Sequence, residues 1–449
     1  MALTRMQMAG WGLADMGIVT FVVIKQLLVL AFMTNYLGVP IATAGVLTTS
    51  ILLFDIISDP IIGSKSDRTQ SRFGRRAPWL FWGAVVMVAG VIGIFAVPDG
   101  FQLGGNLTWV AVAFVVATVG FTMCAIPYGA MAGEMTQNPK ERSVMTGWRM
   151  AFASIGILIG GALIPGLAGT TKEGHLMAAI YVSPLIIGAI WLSLLMTRNA
   201  PRIDVPSQNS IVESISLVLT NKAFVILVLL YGVMTLAIAV ITAGLPFAAL
   251  YLILDNGETA LSGAASGLGT LSLMFACFVV GAILSQVIWV LLSHRLGKLG
   301  ALILGLCLYL VLLGTIYMAL PSVNVTAIAV LFIFAGFTNG AYQQIPWAMF
   351  PDLMDVTRKE TGDAIEGAFS AIWLFGQKVA NAIAPLFLAL VLGVFGWKET
   401  TTGFVEQTDS AIEALRFCIT LLPAGILLLA ILGLALIYRP VATDYLARR

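Results

Sequence analysis

Asp55 and Asp59 stand four residues apart in the stretch Phe-Asp-Ile-Ile-Ser-Asp-Pro, residues 54–60, inside an otherwise apolar run. That spacing puts both carboxylates on one face of a helix. Two neighbouring carboxylates do not both ionise cheaply, so one takes a proton or a cation settles between them. Ser58 adds a hydroxyl oxygen, the ligand type a hard cation takes. Pro60 cannot donate to the carbonyl of Ile56, which leaves another oxygen open or bends the helix. These residues predict a coupling-ion site for H⁺ or Na⁺, with Asp55 and Asp59 as the metal ligands in the Na⁺ case. Ser58 is a weak neutral ligand and a proton needs only a carboxylate, so H⁺ is the expected ion. The competing reading is a static salt bridge with lysines at similar depth.

Those lysines are Lys25, midway along the first apolar run, and Lys378, in the eleventh. An ionisable group at the bilayer centre costs about 2.5–3.5 kcal/mol on insertion scales, so each needs a partner or a role. Lys25 reaches the depth of Asp55, and either pairs with it or binds an anionic substrate. Beside Lys378, Trp373, Gln377 and Asn381 recur at helical spacing as a polar stripe. Asn339, Tyr342 and Gln343, at offsets of three and four, share a face ahead of Pro346. These groups bind a polar ligand or bond neighbouring helices.

The elements that must carry these residues cross a membrane. The chain has 449 residues, 59% hydrophobic and only 10% charged. Apolar runs of the length that crosses a ~30 Å hydrocarbon core recur throughout. The reading is an all-α membrane protein with twelve spans: 11–37, 42–64, 78–97, 107–131, 150–170, 177–197, 223–250, 265–291, 299–319, 325–347, 365–396 and 415–437. With both termini cytoplasmic, nineteen Lys/Arg fall at cytoplasmic ends, three outside (Lys172, Lys398, Arg416) and two within spans. That bias follows the positive-inside rule. A net charge of +2 gives no reason to expect nucleic acid. The four cysteines read as small buried hydrophobes without metal spacing, and His175 and His294 read as loop residues. No hydrolase or metalloprotease motif appears, so an enzyme is not expected.

Residues 198–222 form the longest polar connection and divide the spans six and six, into halves 1–197 and 223–449. The halves echo each other: Ala125–Met135 (AIPYGAMAGEM) ends the fourth span and Gln344–Met354 (QIPWAMFPDLM) ends the tenth. The loop GSKSDRTQSRFGRR pairs similarly with SHRLGKLG. Two six-span repeats with substrate held between them is a secondary-transporter layout. Asp67, Arg68, Arg72, Arg75 and Arg76 crowd the first of these loops. They are expected to hold the halves together through charge-assisted bonds when the site opens outward.

The combination of FDIISDPIIG, SRFGRRAPW, AIPYGAMAGEM, GWRMAFASIG and QIPWAMFPDLMD…ETGDAIEGAFSAIWLFGQK resembles the glycoside–pentoside–hexuronide:cation symporters of the major facilitator superfamily, over nearly the whole chain. The resemblance implies a major facilitator fold and a cation site at Asp55, Ser58, Asp59 and Thr122. It also implies a substrate site that includes Arg149 and Lys378, and a gating loop with Gly63, Asp67 and Arg68 in place. It implies a monomer in a bacterial inner membrane that moves a sugar, glycoside or sugar acid with H⁺ or Na⁺ by alternating access, without a cofactor. The lysolipid carriers of the broader group make an amphipathic substrate the alternative. Against the melibiose-permease branch, Val19 and Ala125 replace two sugar-binding acids, Gly129 replaces a tryptophan, Ser58 replaces an asparagine, and Lys25 has no counterpart. With those cavity acids gone and Lys378 available to the remaining ones, Lys25 is expected to bind an anionic substrate.

Overall fold

A computed structural model of the chain describes residues 3–136, 138–201, 216, 218–361 and 366–446. Most of the 198–222 connection lies outside the described residues, as do 362–365 of the quoted ETGDAIEG stretch. Twelve helices are long and apolar enough to cross a membrane. They are α1 (Arg5–Leu27), α2 (Ile41–Asp67), α3 (Ala77–Phe95), α4 (Leu103–Met135), α5 (Val144–Ala168), α6 (Lys172–Met196), α7 (Lys222–Tyr251), α8 (Thr270–Leu296), α9 (Lys298–Ala319), α10 (Val325–Met354), α11 (Ala368–Val394) and α12 (Asp409–Thr443). Among the described residues the only extended pairing outside helices is an isolated bridge between Ile253 and Ser322.

Several edges move from their expected places, for local reasons. α1 begins at Arg5 because Thr4 and Gln7 form a capping box, each side chain bonded to the other's backbone N–H. The run up to Tyr36 continues as a separate short helix, Val29–Tyr36. Gly38, at φ 64°, turns the chain into α2 in a conformation that favours glycine. His175 and His294 lie within α6 and α8 rather than in loops, because the helices run past the apolar runs. Cys307 is exposed on the outer face of α9, contrary to the buried reading, since a span's outward face meets lipid rather than a protein core.

The chain divides into two compact units. The first comprises Met1–Pro206, Ser266–Ser272 and Gly396–Gln407, and the second Ser207–Ala265, Leu273–Phe395 and Thr408–Arg449. In the first unit, α2 is amphipathic in the inverted sense of a membrane helix. Ile51, Asp55, Ser58, Ile62 and Ser66 are buried while Phe54, Ile57 and Ile61 are exposed. The polar residues face protein and the large apolar ones face outward. α3 and α4 approach closely because Gly90 lies against Ala117 and Gly120 against Met87, where a Cβ would collide with backbone. That seam sets the depth and rotation of α4, and hence of Phe121 and Thr122.

In the second unit the core is aromatic. Tyr231 of α7 stacks on Trp373 of α11 at 4.2 Å and on Tyr342 of α10 at 5.5 Å. Phe350 stacks on Trp373 at 5.0 Å, and Phe224 meets Phe369 edge-on at 4.4 Å. Asn221 caps α7 and donates from its amide to Thr357 at 2.9 Å, tying α7 to the end of the tenth helix.

Candidate functional site

Asp55, Ser58 and Thr122 come together in the first unit, and Lys25 joins them. The Lys25 ammonium lies 3.2 Å from Asp55 Oδ2, with both side chains buried. Thr122 Oγ1 donates to Asp55 Oδ1 at 2.8 Å. Ser58 Oγ donates to the Asp55 carbonyl at 2.9 Å and lies 3.4 Å from Thr122 Oγ1. Phe121 and Phe21 bring their rings to 4.3 and 5.5 Å from Lys25 Nζ. Asp59 lies one turn further along α2, half-buried. α1 thus contributes Lys25, α2 contributes Asp55 and Ser58, and α4 contributes Thr122 to one cluster. Removing one partner of a buried ion pair such as this typically costs about 3–5 kcal/mol. Of the two roles open to Lys25, this position favours the ion pair. Among the described residues no group of three or more His, Cys, Asp or Glu could hold a metal ion.

Arg149 enters a second cluster, ten residues from Lys25 along α1. Its Nε donates to Asp15 Oδ2 at 2.9 Å. The Asp15 side chain is 3% exposed and that of Arg149 is 41% exposed. Tyr128 lies under the guanidinium at 5.7 Å and stacks on Trp11 at 4.8 Å. A buried carboxylate thus orients an accessible guanidinium, the donor fork suited to a carboxylate or sulfonate. From the sequence Asp15 reads only as an acid near a cytoplasmic span end, cheap to place, and Tyr128 and Trp11 were not singled out. The signal was there for Asp15, an acid inside an apolar run, and for Tyr128, the aromatic of the Ile-Pro-aromatic repeat.

The crowded loop closes on an acid that sequence reasoning did not place there. Arg76 Nη2 meets Glu134 Oε1 at 2.7 Å and Asp67 Oδ1 at 2.5 Å, and its Nη1 donates to Ser66 at 2.8 Å. Arg75 Nη2 reaches the same Glu134 oxygen at 2.9 Å. Arg68 and Arg72 are exposed, Arg72 over Phe73, and Gly63 abuts Ile126. The second unit carries the matching bond: Asp352, in the α10 copy of the repeat, accepts from Lys298 at 2.6 Å. In each unit the acid that follows Ile-Pro-aromatic holds a base from earlier in the chain, Arg76 just before α3 and Lys298 at the start of α9.

The candidate substrate residues of the second unit do not form one open face. Trp373 is fully buried beneath Tyr231 and Phe350. Tyr342 is buried with its hydroxyl 2.8 Å from Thr235 Oγ1, whereas Gln343 is exposed. Asn339 is 1% exposed, and its amide atoms meet no hydrogen-bond partner among the described residues. Gln377 and Lys378 are half-buried on α11. Trp347, unflagged from sequence, is exposed and donates to the Tyr231 hydroxyl at 3.1 Å. A separate 440 Å³ hollow in the first unit is lined by Tyr36, Asp99, Asn106 and Lys172 and touches neither charge cluster. There the Lys172 ammonium, hydrogen-bonded to Asp99, holds that carboxyl below the usual carboxylate range.

Comparison with known proteins places these features in a family. The chain is 26% identical to the glucuronide carrier protein homolog of Escherichia coli, over 94% of this chain and 90% of that protein. It is 24% identical to the inner membrane symporter YicJ of the same organism, over 92% and 87%. A crystal structure of a bacterial homologue of the human lysosomal transporter Spinster superposes with a TM-score of 0.67 at 14% identity, covering 100% of this chain and 99% of that one, which bears on the fold alone. Residues 8–440 match the MFS/sugar transport protein family, and the chain belongs to that family of the major facilitator superfamily, as a membrane transporter rather than an enzyme.

Proposed function

We propose that this protein is a cation-coupled symporter of a small sugar-type solute carrying a negative charge, working by alternating access in a bacterial inner membrane. The observation that carries the reading is the buried Asp55–Lys25–Thr122–Ser58 network, a charged cluster inside spans that would otherwise be apolar. Such groups in a transporter mark an ion pathway. The ion and the solute then favour the same state, and each raises the other's affinity. The sign of the solute is supported by Arg149, half-exposed and oriented by Asp15, and by Val19 and Ala125 at positions where an acid would repel an anion. A relative named as a glucuronide carrier homolog agrees with that sign. Arg149 in the first unit, and Gln343, Gln377 and Lys378 in the second, are the proposed solute-binding residues; within the second unit Asn339, Tyr342 and Trp373 are buried. Nothing in the comparisons favours the amphiphile alternative.

The test is uptake of a radiolabelled glucuronide into proteoliposomes holding the full chain, under imposed pH and Na⁺ gradients separately. Gradient-stimulated uptake is expected, and Asp59→Asn should abolish the stimulation while some glucuronide binding persists. Stimulation that survives in Asp55→Asn/Asp59→Asn protein would remove these carboxylates from coupling. Uptake of neutral glycosides in preference to glucuronides would overturn the anionic assignment.

A further inference from the structure

Lys25 stands where a coupling ion would have to stand. Its ammonium is against Asp55 Oδ2, while Thr122 occupies the other carboxylate oxygen. Ser58 Oγ, the remaining hydroxyl, is turned to the Asp55 carbonyl. An alkali cation needs several oxygens converging on one point, free of a competing positive charge. Here the competing charge is covalently attached, buried to 6% exposure, and covered by the faces of Phe121 and Phe21. Aromatic faces attract an ammonium but offer no oxygen ligands to a metal ion. Within the first unit the other charged residues of the spans lie at other levels. Arg149 pairs with Asp15, ten residues earlier on α1, while Glu134, Lys172, Glu173 and His175 lie at the ends of α4 and α6.

We propose that the Lys25 ammonium is a tethered counter-cation that takes the place of an alkali ion at the Asp55–Ser58–Asp59–Thr122 cluster, so that the site excludes Na⁺ and Li⁺ and works with protons. A proton needs no ligand shell. It adds to one carboxylate oxygen, converts Asp55 to the neutral acid and releases the ammonium from its partner. Lys25 is therefore the residue that sets ion specificity. The inference rests on reading the cluster as the coupling site, but its test needs no sugar.

Full-length protein in detergent is assayed for saturable binding of radioactive Na⁺, with Li⁺ as competitor, and for thermal stability in Na⁺, Li⁺ or choline chloride. Wild type is expected to show no saturable binding and the same melting temperature in all three salts. Lys25→Ala, which leaves Asp55 without its ammonium, should melt lower in choline. It should gain Na⁺ affinity by at least about tenfold, and Na⁺ and Li⁺ should restore its melting temperature by mass action. Lys25→Ala/Asp55→Asn should lose that gain. Lys25→Gln keeps the stem without the charge and is read in the same way if the alanine variant does not survive purification. Saturable Na⁺ binding by wild type, or a folded Lys25→Ala or Lys25→Gln protein that binds no Na⁺, overturns the proposal. Glucuronide uptake failing while Lys25→Ala gains Na⁺ binding would remove the sugar assignment and leave this inference standing.

Discussion

Arg149 and Lys25 illustrate how one residue type, a cation inside a membrane span, acquires different roles from its partner's burial. Lys25 and Asp55 are both buried, so each mainly neutralises the other. Asp15 is buried but Arg149 is 41% exposed, so the carboxylate orients a guanidinium that still reaches solvent. Asp15→Asn would keep the volume and one acceptor while removing the charge that orients the fork. It is expected to raise the KM for a glucuronide by about tenfold, or ~1.4 kcal/mol, with little change in melting temperature. Arg149→Lys should do the same, because a point charge does not reproduce the planar fork. The measurement is uptake kinetics in proteoliposomes. An unchanged KM in both variants would take Arg149 out of the solute site.

At the scale of elements, the coupling cluster depends on how close α4 comes to α3. Thr122 is two residues beyond Gly120, and Gly120 lies against the Met87 backbone. A side chain there forces the helices apart and carries Thr122 away from Asp55 Oδ1. Overpacking of this kind typically costs about 1–3 kcal/mol. Gly120→Val is therefore expected to lower the melting temperature and weaken gradient-stimulated uptake together, and Gly120→Ala to do so less. Gly104→Val serves as a control, since nothing lies within 4 Å of that position. Equal melting curves for Gly120→Val and wild type would show that the seam is not needed to hold α4. The repeat acids belong to this scale too. Glu134 in α4 and Asp352 in α10 each hold a base from at or near the start of the preceding helix, which converts a sequence echo into a repeated bond.

For the whole molecule, the distribution of Lys and Arg predicts one orientation. Residues 65–76 carry five Lys or Arg and the 198–222 connection three, whereas residues 96–102 carry none and 396–407 one. With both termini cytoplasmic, a cysteine introduced at Ser71 should react with a membrane-impermeant maleimide only in inside-out vesicles. One introduced at Gly100 should react only in right-side-out vesicles. Both positions are exposed. The reverse labelling pattern would invert the assignment and, with it, the side from which the Asp67–Arg76–Glu134 cluster acts.

The amino-acid sequence by itself determined the all-helical membrane class and the number of spans, because hydrocarbon leaves apolar helices of a set length as the solution for such runs. It also marked Asp55, Asp59, Lys25 and Lys378, since a charge in lipid is too costly to be incidental. Helical spacing linked Asp55 to Ser58 and Asp59 because those contacts lie within one helix. What only the tertiary structure decided was the set of partners from other helices. Lys25 meets Asp55 across 30 residues, Thr122 meets Asp55 across 67, and Arg149 meets Asp15 across 134. Periodicity states which face a residue occupies on its own helix. Which helix lies opposite, and at what height, is set by packing seams such as Gly90–Ala117 and Gly120–Met87. The Gly120–Met87 seam sets the height of Thr122 beside the carboxylate, and in the second unit aromatic stacking buries Trp373 under Tyr231 where its spacing alone had suggested an open face.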